Sequence, residues 1–401
     1  MKTVWIINHY ADPPNVGKFN RHYHFAKKLI ERGYEVKIFT ASTIHSTDIN
    51  LSDPCTLYTK KNYDGVDYVI IGCPDYEGNG RQRIKNMFKY YTKVVKASAF
   101  FGKCDMVYAS SPHPLTWIAG RKIAEKNNAK FIAETRDLWP ETFISMGKFS
   151  KSHPVAKILY AIEKKIYKKA DKLIFTMPGG VDYVESLGIS TDKVVNINNG
   201  VDLKEFADFV EKYKVDLPFQ KDEFNVVYAG AMGQANRVKC LVEAMNLMKD
   251  NREIKLYIYG SGYEEEELKD FCTKNGVSNV KFMGRVEKKY IPYIISSSHL
   301  NVMTARKIDL YKYGISLNKL FEYMAAGKPI LSNIECNYDI LEKYNCGLTV
   351  AGESPKALAE GIEKFYNMDF KEYERYSLNS IRASKDFDFE VLTDKLEKCF
   401  E

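Results

Sequence analysis

At 401 residues the chain is long enough for two domains, each with its own core. A hydrophobic content of 45% and a charged content of 28% are ordinary for a soluble globular protein, and the net charge of +7 is modest, so its distribution matters more than its total. The apolar run Met1 to Ile7 is too short for a signal peptide, and no stretch approaches the roughly 18 apolar residues that span a bilayer. The eight cysteines are scattered singly, without a Cys-x-x-Cys pair, which argues against a structural zinc site or a disulfide framework and for a reducing cytosol.

The first half alternates apolar strands with longer helical patterns, which implies βαβ units and a parallel sheet. Val4 to Asn8 reads as a buried strand, followed by the loop Tyr10 to Gly17 with Pro13 and Pro14. A helix from about Phe19 to Arg32 ends at Gly33, and Glu35 to Thr40 is the next strand. Further strands are expected at Tyr68 to Ile71, Met106 to Ala109, Lys130 to Glu134, Lys172 to Thr176 and Val194 to Ile197, the last leading into the turn Asn199-Gly-Val-Asp202. A polar, charged stretch from about Asp202 to Glu223 reads as the connection between domains. A second series starts at Phe224 to Tyr228 and continues through Lys255 to Tyr259, Val280 to Met283, Leu300 to Met303 and Pro329 to Ser332. Each series has the order of a doubly wound α/β fold, so the expected architecture is two Rossmann-like domains facing a cleft.

The most informative segment is Ser316-Leu-Asn-Lys-Leu-Phe-Glu-Tyr-Met-Ala-Ala-Gly-Lys-Pro-Ile330. Ser316 is suited to an N-cap, Leu317, Asn318 and Lys319 open the helix, and Gly327 stops it before Pro329. Leu320, Phe321 and Met324 recur at helical spacing as an apolar face. A helix start presents unpaired N–H groups and partial positive charge, which suits a diphosphate, and Lys319 adds a full charge. Glu322 lies one turn on; a carboxylate beside an anion site makes sense if it binds hydroxyls, such as a ribose diol. An ordinary buried helix explains the same residues.

This segment resembles the donor-binding signature of the family-four glycosyltransferases, retaining enzymes of the GT-B fold, in which a Glu-x7-Glu motif precedes a Gly-Lys-Pro turn. Glu322 matches the second glutamate, which in that family binds the ribose hydroxyls, whereas the first falls at Gly314 and is absent. The resemblance covers nearly the whole chain. It implies an acceptor-binding domain over residues 1–205, a donor-binding domain over 206–384 and a last helix, within 385–401, that crosses back to the first domain. Met283-Gly284-Arg285-Val286 resembles the strand end that meets the nucleotide base through backbone groups. Gly230-Ala-Met-Gly233 corresponds to the phosphate loop, with Ala231 and Asn236 where relatives carry basic residues and Arg237 and Lys239 nearby. Gly260-Ser-Gly262 reads as a plain turn. Pro13 to Arg21 resembles the glycine-rich loop near the donor phosphates, the usual glycine pair being Gly17-Lys18.

Ser110-Ser-Pro-His113 and Glu134-Thr-Arg-Asp-Leu-Trp-Pro-Glu141 follow successive strands, which puts them at the carboxyl edge where ligands bind. Arg136-Asp137 stands where many relatives carry His-Asp. The Arg-Asp-Leu-Trp-Pro run resembles the subset that builds capsular and O-antigen polysaccharides, including transferases of N-acetylfucosamine. Asp137 is the candidate to orient an acceptor hydroxyl or donor sugar, or else it forms a salt bridge or caps a helix. His9 and His113 are lone histidines on edge loops and complete the catalytic candidates. From Arg81 to Lys103 there are seven Lys or Arg and no acidic residue. Ile84, Phe88, Tyr91, Val95 and Ser98 share one helical face, flanked by Lys85, Lys89, Lys93 and Lys96, a pattern suited to an anionic membrane surface. The alternative is a helix that packs its apolar stripe on the sheet and leaves its lysines solvated.

Taken together, the resemblance implies a retaining transferase that moves a sugar from a UDP-linked donor to a polyprenyl-diphosphate-linked acceptor at the inner membrane face. No recognised nucleic-acid motif accompanies it and no Asp-x-Asp motif stands in a place suited to a metal, so no divalent metal or other cofactor is expected. The rival readings are a nucleotide-sugar epimerase or hydrolase on the same fold, or a membrane-bound scaffold that binds nucleotide without turnover.

Overall fold

The computed structural model describes residues 1–14, 16–17, 20–78, 80–145 and 147–401. It divides into two compact units, one formed by Met1–Asn198 with Leu392–Glu401 and the other by Asn199–Val391.

In the first unit the strands are β1 (Thr3–Ile7), β2 (Glu35–Ala41), β3 (Thr59–Tyr63), β4 (Val66–Ile71), β5 (Met106–Ser111), β6 (Lys130–Thr135), β7 (Lys172–Phe175) and β8 (Val194–Asn196). They form one sheet in the order β3-β4-β2-β1-β5-β6-β7-β8. All neighbours are parallel except β3 and β4, an antiparallel hairpin. Its two-residue turn, Asp64-Gly65, has φ of +50° and +88°, the geometry that matches strand twist. Strands such as Val4–Ile7 are fully buried because helices cover both faces of a parallel sheet, which explains their unbroken apolar runs. The C-terminal residues belong to this unit: Arg32 pairs with Asp394 at 2.7 Å and with Glu397, and the Tyr34 and Phe400 rings meet at 5.7 Å.

The second unit contains β9 (Phe224–Ala229), β10 (Ile254–Tyr259), β11 (Val280–Gly284), β12 (Leu300–Met303), β13 (Ile330–Ser332) and β14 (Gly347–Thr349), in the order β11-β10-β9-β12-β13-β14, all parallel. Numbered from its own first strand this is 3-2-1-4-5-6, the Rossmann order. The same series runs through β4-β2-β1-β5-β6-β7 of the first unit. The strand order therefore reverses between β1 and β5 in one unit and between β9 and β12 in the other, and ligands of such sheets bind at those carboxyl edges.

The charged stretch after Asp202 is not a bare connection. Asp202 accepts from Glu205 N at 2.9 Å and caps a helix, Leu203–Lys212, whose Phe206 is buried in the second unit. Leu203, Phe206 and Val210 carry the helical period beneath the charges.

Candidate functional sites at the two sheet edges

In the second unit, the loops after β9, β10 and β11 are stacked through their backbones. Gly230 N donates to Tyr259 O at 2.9 Å, and Gly260 N to Gly284 O at 2.8 Å. A Cβ on Gly260 would lie 1.8 Å from Gly230 O, and one on Gly262 would lie 1.9 Å from Met232 O, so these glycines serve close loop packing. Gly284 turns the chain with φ of +68°, leaving Arg285 exposed and Val286 packed on the core below.

The helix Asn318–Ala325 points its start at this edge. Its N-cap is Leu317, not Ser316. The Ser316 hydroxyl is taken by the Asn199 amide at 2.8 Å, and its carbonyl accepts from Asn199 Nδ2 at 2.5 Å. The rest of the helix follows the sequence expectation: Leu320, Phe321 and Met324 are buried, and Gly327, with φ of +65°, ends it. Asn318 is exposed, whereas Lys319 is partly buried. Lys319 Nζ lies over the Tyr228 ring, 4.5 Å from its centroid and 3.2 Å from its hydroxyl. A Cβ on Gly230 would come within 2.7 Å of that nitrogen, so glycine leaves the ammonium its place. Burial pushes the Lys319 ammonium down to about 8, with Glu322 opposing. An ammonium held in this way, beside a helix start and loop amides, gains from any bound anion. One turn on, Glu322 is partly buried and pairs with Lys288 at 3.4 Å, a cation the sequence pattern did not single out.

The missing first glutamate has a backbone reason. Gly314 has φ of +81° and ψ of 179°, a region open essentially to glycine alone. Arg237 and Lys239 are each engaged, with Glu353 at 3.9 Å and Glu267 at 2.7 Å.

In the first unit, His9 follows β1 and His113 follows β5, on either side of the reversal in strand order. Both are buried, and His9 Nδ1 lies 3.0 Å from His113 Nε2. His9 Nε2 meets Asn86 Oδ1 at 2.7 Å. Burial, then the neighbouring His113, hold His9 well below its usual value, and burial pushes His113 down to about 3. Both rings are therefore neutral at pH 7. Arg83, which donates to the Tyr10 hydroxyl at 3.0 Å, acts electrostatically on His9, His113 and Asp137. Asp137 is exposed, so solvent screens the upward push of desolvation on its carboxyl, and Arg136 and Arg83 oppose it. A Cβ on Gly17 would overlap the Asp12 carboxylate at 2.1 Å. Lys18 lies outside the described residues.

Beneath these loops is a network that sequence reading missed. Glu134 Oε1 accepts from Arg21 Nε at 3.0 Å and Nη2 at 2.8 Å and from the Tyr108 hydroxyl at 2.5 Å, while Oε2 faces His22 Nε2 at 3.2 Å. Burial alone would raise this carboxyl, but Arg21 and His22 hold it well below the usual range. Arg21 also donates to Ile197 O at 2.8 Å and to Asn198 O, which pins the end of the unit's main segment to its centre.

On the helix Arg81–Ala97 the buried face is Asn86, Tyr90, Val94 and Ala97. Ile84 and Phe88 are 53% and 52% exposed, so the apolar stripe does not pack on the sheet there, although Ser98 is buried. Lys85, Lys89 and Lys96 are exposed. Lys93 is not part of that free flank: its ammonium donates to the carbonyls of Pro54, Thr56 and Gly72 at 2.7, 2.9 and 2.9 Å. Among the described residues no helix is long and apolar enough to cross a membrane.

Two Rossmann-like units joined in one chain are the arrangement of the GT-B class. The model for Glycosyltransferase Family 4 matches residues 20–205, and that for Glycosyl transferases group 1 matches residues 209–382. The chain accordingly belongs to the group 1, family 4 glycosyltransferases of GT-B fold. It is 28% identical over 191 residues to an uncharacterized glycosyltransferase of Methanocaldococcus jannaschii, a match of 45% of this chain and 47% of that one, so it aligns with about half the relative's length. A sucrose-phosphate synthase from Thermosynechococcus elongatus superposes with a TM-score of 0.76 at 18% identity, over 100% of this chain and 98% of that one. Anabaena HepE in complex with UDP and glucose does so with a TM-score of 0.67 at 13% identity, over 99% and 98%.

Proposed function

We propose that the chain transfers a sugar, with retention, from a UDP-linked donor to a polyprenyl-diphosphate-linked acceptor. The observation that carries this reading is Lys319, held over Tyr228 and against Gly230 at the start of the helix Asn318–Ala325, with Glu322 one turn on. A diphosphate at the helix start gains the ammonium and the backbone amides, while Glu322 is placed for a ribose diol. The UDP bound by HepE, whose fold the chain shares, supports this nucleotide. Arg285, Val286 and Gly284 present backbone groups to the base. Preorganised charge around the leaving diphosphate dominates catalysis. The bond from the sugar anomeric carbon to the diphosphate breaks, the bond to the acceptor oxygen forms on the same face, and the acceptor proton passes to the leaving diphosphate. Asp137, with Arg136, orients the acceptor hydroxyl.

The Arg136-Asp137-Leu138-Trp139-Pro140 run supports a place in capsule or O-antigen repeat-unit synthesis, with an N-acetylated 6-deoxyhexosamine such as N-acetylfucosamine as the sugar. The exposed Ile84 and Phe88 beside Lys85, Lys89 and Lys96 support peripheral binding at the cytoplasmic membrane face. The test is a screen of UDP-sugars against lipid-linked acceptor mimics, monitoring UDP release. We expect release that depends on acceptor and persists in excess EDTA; release without acceptor would point to hydrolysis, and loss in EDTA with recovery on manganese would point to metal assistance.

A further inference from the structure

Asn86 is fully buried, and its amide nitrogen donates to Pro74 O at 2.6 Å and to Thr43 Oγ1 at 3.0 Å. A backbone carbonyl only accepts, so the nitrogen end of this amide is settled, and its oxygen must be the atom 2.7 Å from His9 Nε2. An amide oxygen also only accepts, so His9 carries its proton on Nε2. Its neutral ring then has a bare Nδ1, and His113 Nε2, 3.0 Å away, must donate to it. That leaves His113 with a bare Nδ1. This atom is buried and has no hydrogen-bond partner among the described residues. Hydrogen bonds of one direction thus run from a lone pair on His113 to the Pro74 carbonyl.

We propose that Asn86 is a positioning residue that sets, through His9 and His113, a hydrogen-bond acceptor for a sugar hydroxyl at the β1–β5 edge. Two further observations select the ligand chemistry. Ser111 Oγ, at the end of β5, and Thr116 Oγ1, in the helix Pro114–Asn127 that follows His113, are also buried without partners among the described residues, so this strand-to-helix junction has several polar groups unsatisfied by protein. A bare imidazole nitrogen repels an anion, and the Arg83 charge that acts on His113 disfavours a cation. A neutral hydroxyl donor meets both conditions. The ligand assignment rests on the transferase reading; the hydrogen-bond direction does not.

Nitrogen-15 NMR of the histidine rings in the full chain, with signals assigned by His9→Gln and His113→Asn, tests the direction. Both rings should be protonated on Nε2 alone. In Asn86→Leu the acceptor is gone and the chain is free to reverse. His113 should then gain a proton on Nδ1, and KM for a sugar on a short polyprenyl diphosphate should rise about tenfold, while UDP affinity holds. A wild-type His113 protonated on Nδ1, or an imidazolium, overturns the proposal whether or not the chain transfers sugar. Reversal of His113 with no change in KM overturns the ligand contact. If no acceptor supports turnover, the transferase reading fails while the ring spectra still decide the direction. Should Asn86→Leu not fold, the wild-type spectrum decides it.

Discussion

The two sheet edges have the same strand order but hold their charges differently. At the β1–β5 edge, buried hydrogen bonds tie Glu134 to Arg21 and His22, and His9 to Asn86, so the charges and ring protons of these groups have a set place. At the β9–β12 edge, Lys319 leans on an aromatic ring and a hydroxyl, and Glu322 meets Lys288 across 3.4 Å with solvent access. The first arrangement is rigid and fixes protonation in advance. The second holds charge in readiness, since a loose pair gives way to an anion or a diol at little cost.

The largest test of this difference is to break the locked side. Arg21→Leu leaves Glu134 buried without its main cation, and loss of one partner of such a pair costs about 3–5 kcal/mol. All three tryptophans, Trp5, Trp117 and Trp139, lie in the first unit, so their fluorescence during urea unfolding reports that unit. A loss below about 1 kcal/mol would show that the network is not what holds this edge.

A second locked carboxyl gives a pH signature. Glu163 is buried between the Tyr167 and Tyr183 hydroxyls at 3.1 and 2.9 Å, and burial pushes it up to about 8. The folded unit therefore keeps a proton that the unfolded chain releases near pH 4.5. Below that pH the contribution is complete. Stability should then fall by about 1.4 kcal/mol per pH unit as pH rises toward 8, and level off above it. Glu163→Gln should flatten this slope in tryptophan-monitored unfolding between pH 5 and 8. An unchanged slope would mean that the carboxyl ionises in place.

On the loose side, Glu322→Ala should remove one or two charge-assisted hydrogen bonds to a ribose, about 1.5–3 kcal/mol each, and lower UDP affinity at least tenfold by calorimetry. Lys288→Ala frees Glu322 from its present partner and should leave UDP affinity equal or slightly higher. Unchanged binding in a folded Glu322→Ala protein would remove that residue from the site.

Much of the loose edge was legible in the sequence, because it is built locally. The helix Asn318–Ala325 announces itself by period and glycine stop, and strand ends follow from apolar runs. Ser316 misled as a cap because its competing partner, Asn199, lies 117 residues away. The locked edge was hidden for the same reason on a larger scale: Arg21 and Glu134 are 113 residues apart, and no local pattern pairs them. The helix Leu203–Lys212 was read as a connection because its charged residues masked a short apolar period. Asn86 passed unnoticed within a basic helix, where only the fold reveals which face turns inward.

That same helix offers the smallest and most local test, because it holds locked and loose lysines side by side. Lys85 and Lys89 are exposed beside Ile84 and Phe88, while Lys93 is tied to three carbonyls from two separate segments. If this face docks on anionic lipid, Lys85→Gln or Lys89→Gln should each weaken binding to phosphatidylserine vesicles by about 1 kcal/mol, roughly fivefold, with no change in unfolding. Lys93→Gln should do the reverse. Its ammonium is spent on Pro54, Thr56 and Gly72, so vesicle affinity should hold while stability falls by about 1 kcal/mol, as the carbonyl of buried Gly72 and two at exposed residues lose a charged donor. Equal effects of all three substitutions on vesicle binding would mean that the lysines act only through total charge. Indifference of the wild-type protein to anionic vesicles at moderate salt would end the membrane reading, and make the exposed lysines an ordinary solvated face.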